Sequence, residues 1–109
     1  MVGTPVERKN RKMDTVLVAA RYEPVGRRLV MARAYERRYA VWSDVVLLDR
    51  DDLLERLRSR KRVVTGTAGD LPGDFVVLER VWLVDDGGHP RIVAGDPSQG
   101  KDDLRLPLF

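Results

Sequence analysis

Few side chains in this chain could do chemistry. His89 is the single histidine and cysteine is absent, which removes thiolate nucleophiles, thiolate metal sites and disulfides together. His89 stands in Gly-Gly-His-Pro at residues 87–90, a turn sequence that fixes no base at a set distance from a substrate, as acid–base catalysis requires. One histidine among scattered carboxylates has no transition-metal spacing. Asp49, Asp51 and Asp52 could together offer oxygens to a hard cation. The same three residues also suit the start of a helix, as N-cap and as partners of the positive dipole end. Residues 66–69, Gly-Thr-Ala-Gly, hint at a phosphate loop. They lack the Gly-Lys-Ser/Thr ending, and a strand rather than a helix follows. A site built from Asp44, Asp49, Asp74 and arginines is the remaining enzymatic option, and nothing in the sequence fixes its geometry. No catalytic centre, metal site or cofactor is expected.

The charges are more informative. Over the 109 residues the net charge is +3. Residues 1–62 hold 16 Lys and Arg against 9 Asp and Glu, and residues 63–109 hold 4 against 8, so the halves carry +7 and −4. A basic half of this kind suits a nucleic-acid partner, although solubility alone also places arginines at turns. The arm carries Arg8, Lys9, Arg11 and Lys12; Arg27 and Arg28 fall at one turn and Arg37 and Arg38 at another. Arg58, Lys61 and Arg62 follow along a helix exit. These last seven are the expected phosphate contacts. Trp42, Trp82, Tyr22, Tyr35 and Phe75 are expected in the core and at its rim rather than as base-stacking platforms.

The final seven residues, Asp-Leu-Arg-Leu-Pro-Leu-Phe at 103–109, form the most distinctive motif. They resemble the short linear peptides by which bacterial replication and repair proteins dock on the sliding clamp. In that resemblance Leu104 and Leu106 match the spaced leucines, Leu108 and Phe109 match the apolar pair that fills the deep pocket, and Asp103 stands where glutamine is usual. It implies a partner-binding tail on a DNA replication or repair accessory. Two other uses of the same leucines stay open: an edge strand packed on its own domain, where Pro107 is tolerated, or a homodimer contact.

The elements that must position these residues are legible from periodicity. Residues 1–13 are basic and punctuated by proline and glycine, and are expected to be a flexible arm. Thr15–Tyr22 alternates, with Val16, Val18, Ala20 and Tyr22 on one face. Pro24 and Gly26 make a hairpin turn, and residues 27–36 return. Residues 39–42 and 45–48 are a third extended stretch with a break at Ser43 and Asp44. Asp49 caps a short amphipathic helix with Leu53, Leu54 and Leu57 on one stripe, and Leu48 stapled against Leu53. Strands are expected at residues 62–67, at Phe75–Val84 and at Arg91–Ala94, the last two joined at residues 85–88. The expected fold is α+β and mainly β: a small bent antiparallel sheet or partly open barrel of about five or six strands with one helix. The expected organisation is an arm at 1–13, one globular domain at 14–94 and a tail at 95–109. Residues 1–9 hold no apolar run of signal-peptide type and no segment approaches a membrane span, so a cytoplasmic location without membrane contact is expected. The function expected is that of a small non-enzymatic binding module. The alternative is a protein-interaction or homodimeric domain with no nucleic-acid role.

Overall fold

A computed structural model describes residues 13–71, 73–85, 87–98 and 100–109. The elements run β1 (Thr15–Tyr22), β2 (Leu29–Arg38), β3 (Val41–Trp42), β4 (Val46–Asp49), α1 (Arg50–Arg58), β5 (Val63–Ala68), β6 (Phe75–Val84) and β7 (Arg91–Ala94). The strands form one curled sheet in the order β3-β2-β1-β5-β6-β7, with β4 pairing on β2 beside β3. This is the mainly-β architecture with one helix that the periodicity predicts. The basic arm lies outside the described residues up to residue 12. Met13, assigned to that arm, is only 1% exposed and belongs to an apolar cluster.

The helix begins where its residues dictate. Asp49 accepts the Asp52 N–H at 2.8 Å, and the Asp52 carboxylate accepts the Asp49 N–H at 3.2 Å, a reciprocal capping box. The three aspartates thus serve the helix start. Leu48, Leu53 and Leu54 are buried together on the sheet, with Leu57 packed beside them.

One pairing departs from the expected antiparallel sheet. Thr15–Leu17 runs parallel to residues 63–65, because α1 supplies the long crossover that a parallel pair needs.

The face assignments also depart from simple alternation, and three β-bulges explain why. Leu17 faces Ala34 but Ala19 faces Arg33, so Val18 is an extra residue in β1; Val30 in β2 is extra by the same reasoning. Thr65 faces Glu79 but Gly66 faces Val77, which leaves Leu78 extra in β6. Each bulge reverses the alternation after it and sharpens the local twist. Val16 and Val18 therefore pack on one side of the sheet with Met13, Tyr35, Trp42, Val64, Phe75 and Val77. Ala20 and Tyr22 turn to the other side, where Leu17, Leu29, Val81, Ile92 and the helix leucines make the main core. In β6, Phe75 and Val77 serve the small cluster, while Val81 and Leu83 serve the main one.

The last segment closes the curl. Asp103 donates its N–H to Ile92 O at 3.1 Å and accepts the Ala94 N–H at 2.9 Å. Pro107 O accepts the Ala20 N–H at 2.9 Å, and Phe109 N–H donates to Ala20 O at 3.2 Å. The tail thereby stitches β7 to the half of β1 that β5 does not reach.

Candidate functional site

The four tail residues assigned to a partner divide sharply. Leu104 is 0% exposed and Leu106 8% exposed, both inside the main core. They occupy the edge-strand role, and in this fold they are not surface anchors. Tail leucines at period two meet a sheet that lacks one edge, and burying them there removes apolar surface from water. Leu108 is 71% exposed. Phe109 is half-buried on the far face, with the guanidinium groups of Arg21 and Arg33 at 4.7 and 4.4 Å from its ring centre, in cation–π geometry.

Phe109 ends a groove on that face, lined by Val18, Met31, Tyr35, Val45 and Leu47 and about 590 Å³ in volume. Val45 and Leu47 are exposed along it.

The arginines and lysine assigned to nucleic acid separate into two groups. Arg37, Arg38, Lys61 and Arg62 meet at the amino-terminal end of the fold: the Arg37 N–H donates to Asp14 O, and Arg62 O accepts the Asp14 and Thr15 N–H groups. Arg58 leads into the same end from the helix. Arg38, Arg58 and Lys61 are exposed there, while Arg37 and Arg62 are half-buried. Arg56 is diverted from this surface by a two-pronged pair with Glu36, at 2.5 and 3.1 Å, which raises its pKa. Arg27 and Arg28 lie at the other end of the β1–β2 hairpin, about 30 Å away at roughly 3.3 Å per strand residue. The longest dimension of the molecule is 41 Å.

That second end holds a cavity of about 350 Å³ lined by residues of four segments. The β1–β2 turn brings Gly26 and Arg28, the first turn of α1 brings Arg50, the β6–β7 connection and the start of β7 bring Gly88, His89, Pro90 and Arg91, and the last segment brings Gly100, Lys101 and Asp102. Asp102, 5% exposed, is the hub. Its carboxylate accepts the Leu29 N–H at 2.7 Å and the Ile92 N–H at 2.9 Å, and pairs with the Arg50 guanidinium. Arg50 also donates to Pro90 O at 2.5 Å. A buried carboxylate with three donors is well satisfied, and it holds the Arg50 guanidinium in one orientation.

His89 is exposed in the connection between β6 and β7, as its turn sequence predicts, at the rim of this cleft. No local signal announces that cleft. Its cations come from positions 28, 50, 91 and 101, and only folding makes them neighbours. Among the described residues no group of three or more His, Asp or Glu has metal-binding geometry, and no helix is long and apolar enough to cross a membrane. Compared with known proteins, the chain matches no family model, no curated protein and no solved structure.

Proposed function

We propose that this protein is a binding module rather than an enzyme, and that it grips nucleic acid through the phosphate backbone. The observation that best supports this is the meeting of Arg37, Arg38, Arg58, Lys61 and Arg62 at one end of the fold. It is the end where residues 1–12, with Arg8, Lys9, Arg11 and Lys12, join the domain. Cations gathered on one surface release counterions from a polyanion, an interaction that is strong, sequence-tolerant and salt-sensitive. The compartment on this reading is the cytoplasm. Binding of a short fluorescent DNA duplex should weaken with salt, with a log–log slope of about 3 to 5 for five neutralised phosphates. Absence of binding at low salt, or a slope near zero, sinks the proposal.

A second reading, protein docking or self-association, rests on exposed Val45, Leu47 and Leu108. Docking on a sliding clamp in this fold would use Leu108 and Phe109 and would require the tail to leave its bridge to Ala20. Calorimetry with purified clamp and sedimentation of the protein alone separate these cases from the first. Heat with the clamp marks the former, and a dimer marks the latter.

A further inference from the structure

We infer that Tyr39 is a base-stacking residue, so that the amino-terminal basic end takes unpaired nucleic-acid bases as well as the phosphate backbone, an inference that rests on the backbone-binding reading of that end. The exposure of one ring carries it. Tyr39 is 98% exposed. The chain has two Trp, three Tyr and two Phe, and every other ring among them is partnered. Tyr35, Trp42 and Phe75 pack on one another. Tyr22, Trp82 and Phe109 each have a guanidinium over the ring. Among the described residues, Tyr39 alone presents an aromatic ring with no ring or cation against it. Burial contributes nothing there, because the ring stays in water.

The backbone places that ring at the tip of a hairpin. Arg38 pairs with Val41, so Tyr39 and Ala40 form a two-residue loop between β2 and β3. At the first loop position φ is 60°, in the left-handed region that glycine usually fills in such loops. A residue with a Cβ adopts it at a cost, so neither backbone preference nor packing accounts for a tyrosine there. The Arg37 Nε–H donates to Tyr39 O at 2.9 Å, which braces the loop from within the basic cluster. The ring directly follows Arg37 and the exposed Arg38 in the chain. A flat aromatic surface next to cations that neutralise phosphates is the arrangement that holds single strands. Bases of any identity stack on the ring while the cations follow the backbone. In a duplex the same bases are stacked on one another and offer no free face to it.

The test is fluorescence anisotropy of the full chain with DNA probes of equal length: a mixed-sequence single strand, the same strand with abasic sites in place of its bases, and the duplex. At equal ionic strength the intact single strand should bind about tenfold more tightly than the abasic one. Tyr39→Gly should remove that difference and leave the affinity for the abasic strand, the affinity for the duplex and the salt slope as in wild type. Tyr39→Phe keeps the ring and should keep the difference. Glycine also suits a φ of 60°, so Tyr39→Gly should not lower the Tm, and its loss of base-dependent binding is then not a loss of fold. Equal affinity of wild type for the intact and abasic strands overturns the stacking role, as does an effect of Tyr39→Gly that is as large on the duplex as on the single strand. In both cases salt-dependent binding itself stands. A loss in Tyr39→Phe equal to that in Tyr39→Gly also overturns it, because the hydroxyl rather than the ring would be making the contact. Failure of every probe to bind at low salt removes the backbone reading and the stacking role together.

Discussion

At the scale of single residues, two polar groups inside the fold carry more than their size suggests. The Asp102 carboxylate joins β2, β7 and α1 through the Leu29 amide, the Ile92 amide and Arg50. Removing one partner of a buried pair strands the other charge and two amides. Asp102→Ala should therefore lower unfolding free energy by about 3–5 kcal/mol, visible as a lower denaturant midpoint at unchanged slope. A surface aspartate would cost under about 0.5 kcal/mol. Tyr22 is the second case, with its hydroxyl accepting the Leu104 N–H at 2.8 Å. Tyr22→Phe leaves that amide unpaired and should cost about 1–3 kcal/mol. Burial raises the Tyr22 pKa above the ordinary 10.0, with the Leu104 hydrogen bond pulling the other way. The folded protein thus holds this proton more tightly than the unfolded chain. Its contribution is complete below pH 10.0 and is lost as pH rises from there through the folded value. The Tm advantage of wild type over the Phe variant should shrink across that window, and a constant difference would refute this linkage.

At the scale of elements, the last segment behaves as an eighth strand in all but length. It hydrogen-bonds to β7 at one end and to β1 at the other, and it seats Leu104 and Leu106 in the main core. A buried Leu→Ala change costs about 2–5 kcal/mol, and a domain of this size has about 5–15 kcal/mol in all. Deleting residues 103–109 should therefore abolish the cooperative thermal transition, where a free docking peptide would be removed without effect. Leu104→Ala should lower the Tm by 10 °C or more, roughly 4–8 °C per kcal/mol. Leu108→Ala, on an exposed side chain, should lie within about 0.5 kcal/mol of wild type. Equal, small effects at both leucines would mean that the tail is not part of the core. The strands also show where local pattern misleads. Val16, Val18, Ala20 and Tyr22 alternate perfectly in sequence, yet the bulge at Val18 sends the first two and the last two to opposite faces.

At the scale of the whole molecule, the basic residues are sorted by the length of the β1–β2 hairpin. One group sits where residues 1–12 join the domain, and the other surrounds the cavity beside the opposite turn. Charges separated by about 30 Å exceed the Debye length of roughly 8 Å at physiological salt, so the two ends act independently on small ligands. Reversing Arg38 and Lys61 together, both exposed, should lower DNA affinity and reduce the salt slope by about 2, with each change within about 0.5 kcal/mol of wild-type stability. An unaltered slope would place the backbone contacts elsewhere.

Local chemistry determined much of this protein. Alternation set the bounds of β1, turn signals on either side set those of β6 and β7, and Asp49, Asp51 and Asp52 specified a capped helix, because capping, dipole, turn chemistry and period act within a few neighbouring residues. Charge totals likewise needed no structure. Three features were decided only by the fold: the parallel pairing of β1 with β5, the face reversals at Val18, Val30 and Leu78, and the burial of Leu104 and Leu106. Each depends on which distant strand is available as a neighbour, an energy that no short window contains. The same holds for the basic cavity. His89 and Arg28 are turn residues in the sequence and become neighbours of Arg50 and Lys101 when the turns converge on Asp102. The scarcity of catalytic residue types is legible in the chain itself, whereas the place where positive charge gathers depends on tertiary contacts between segments far apart in it.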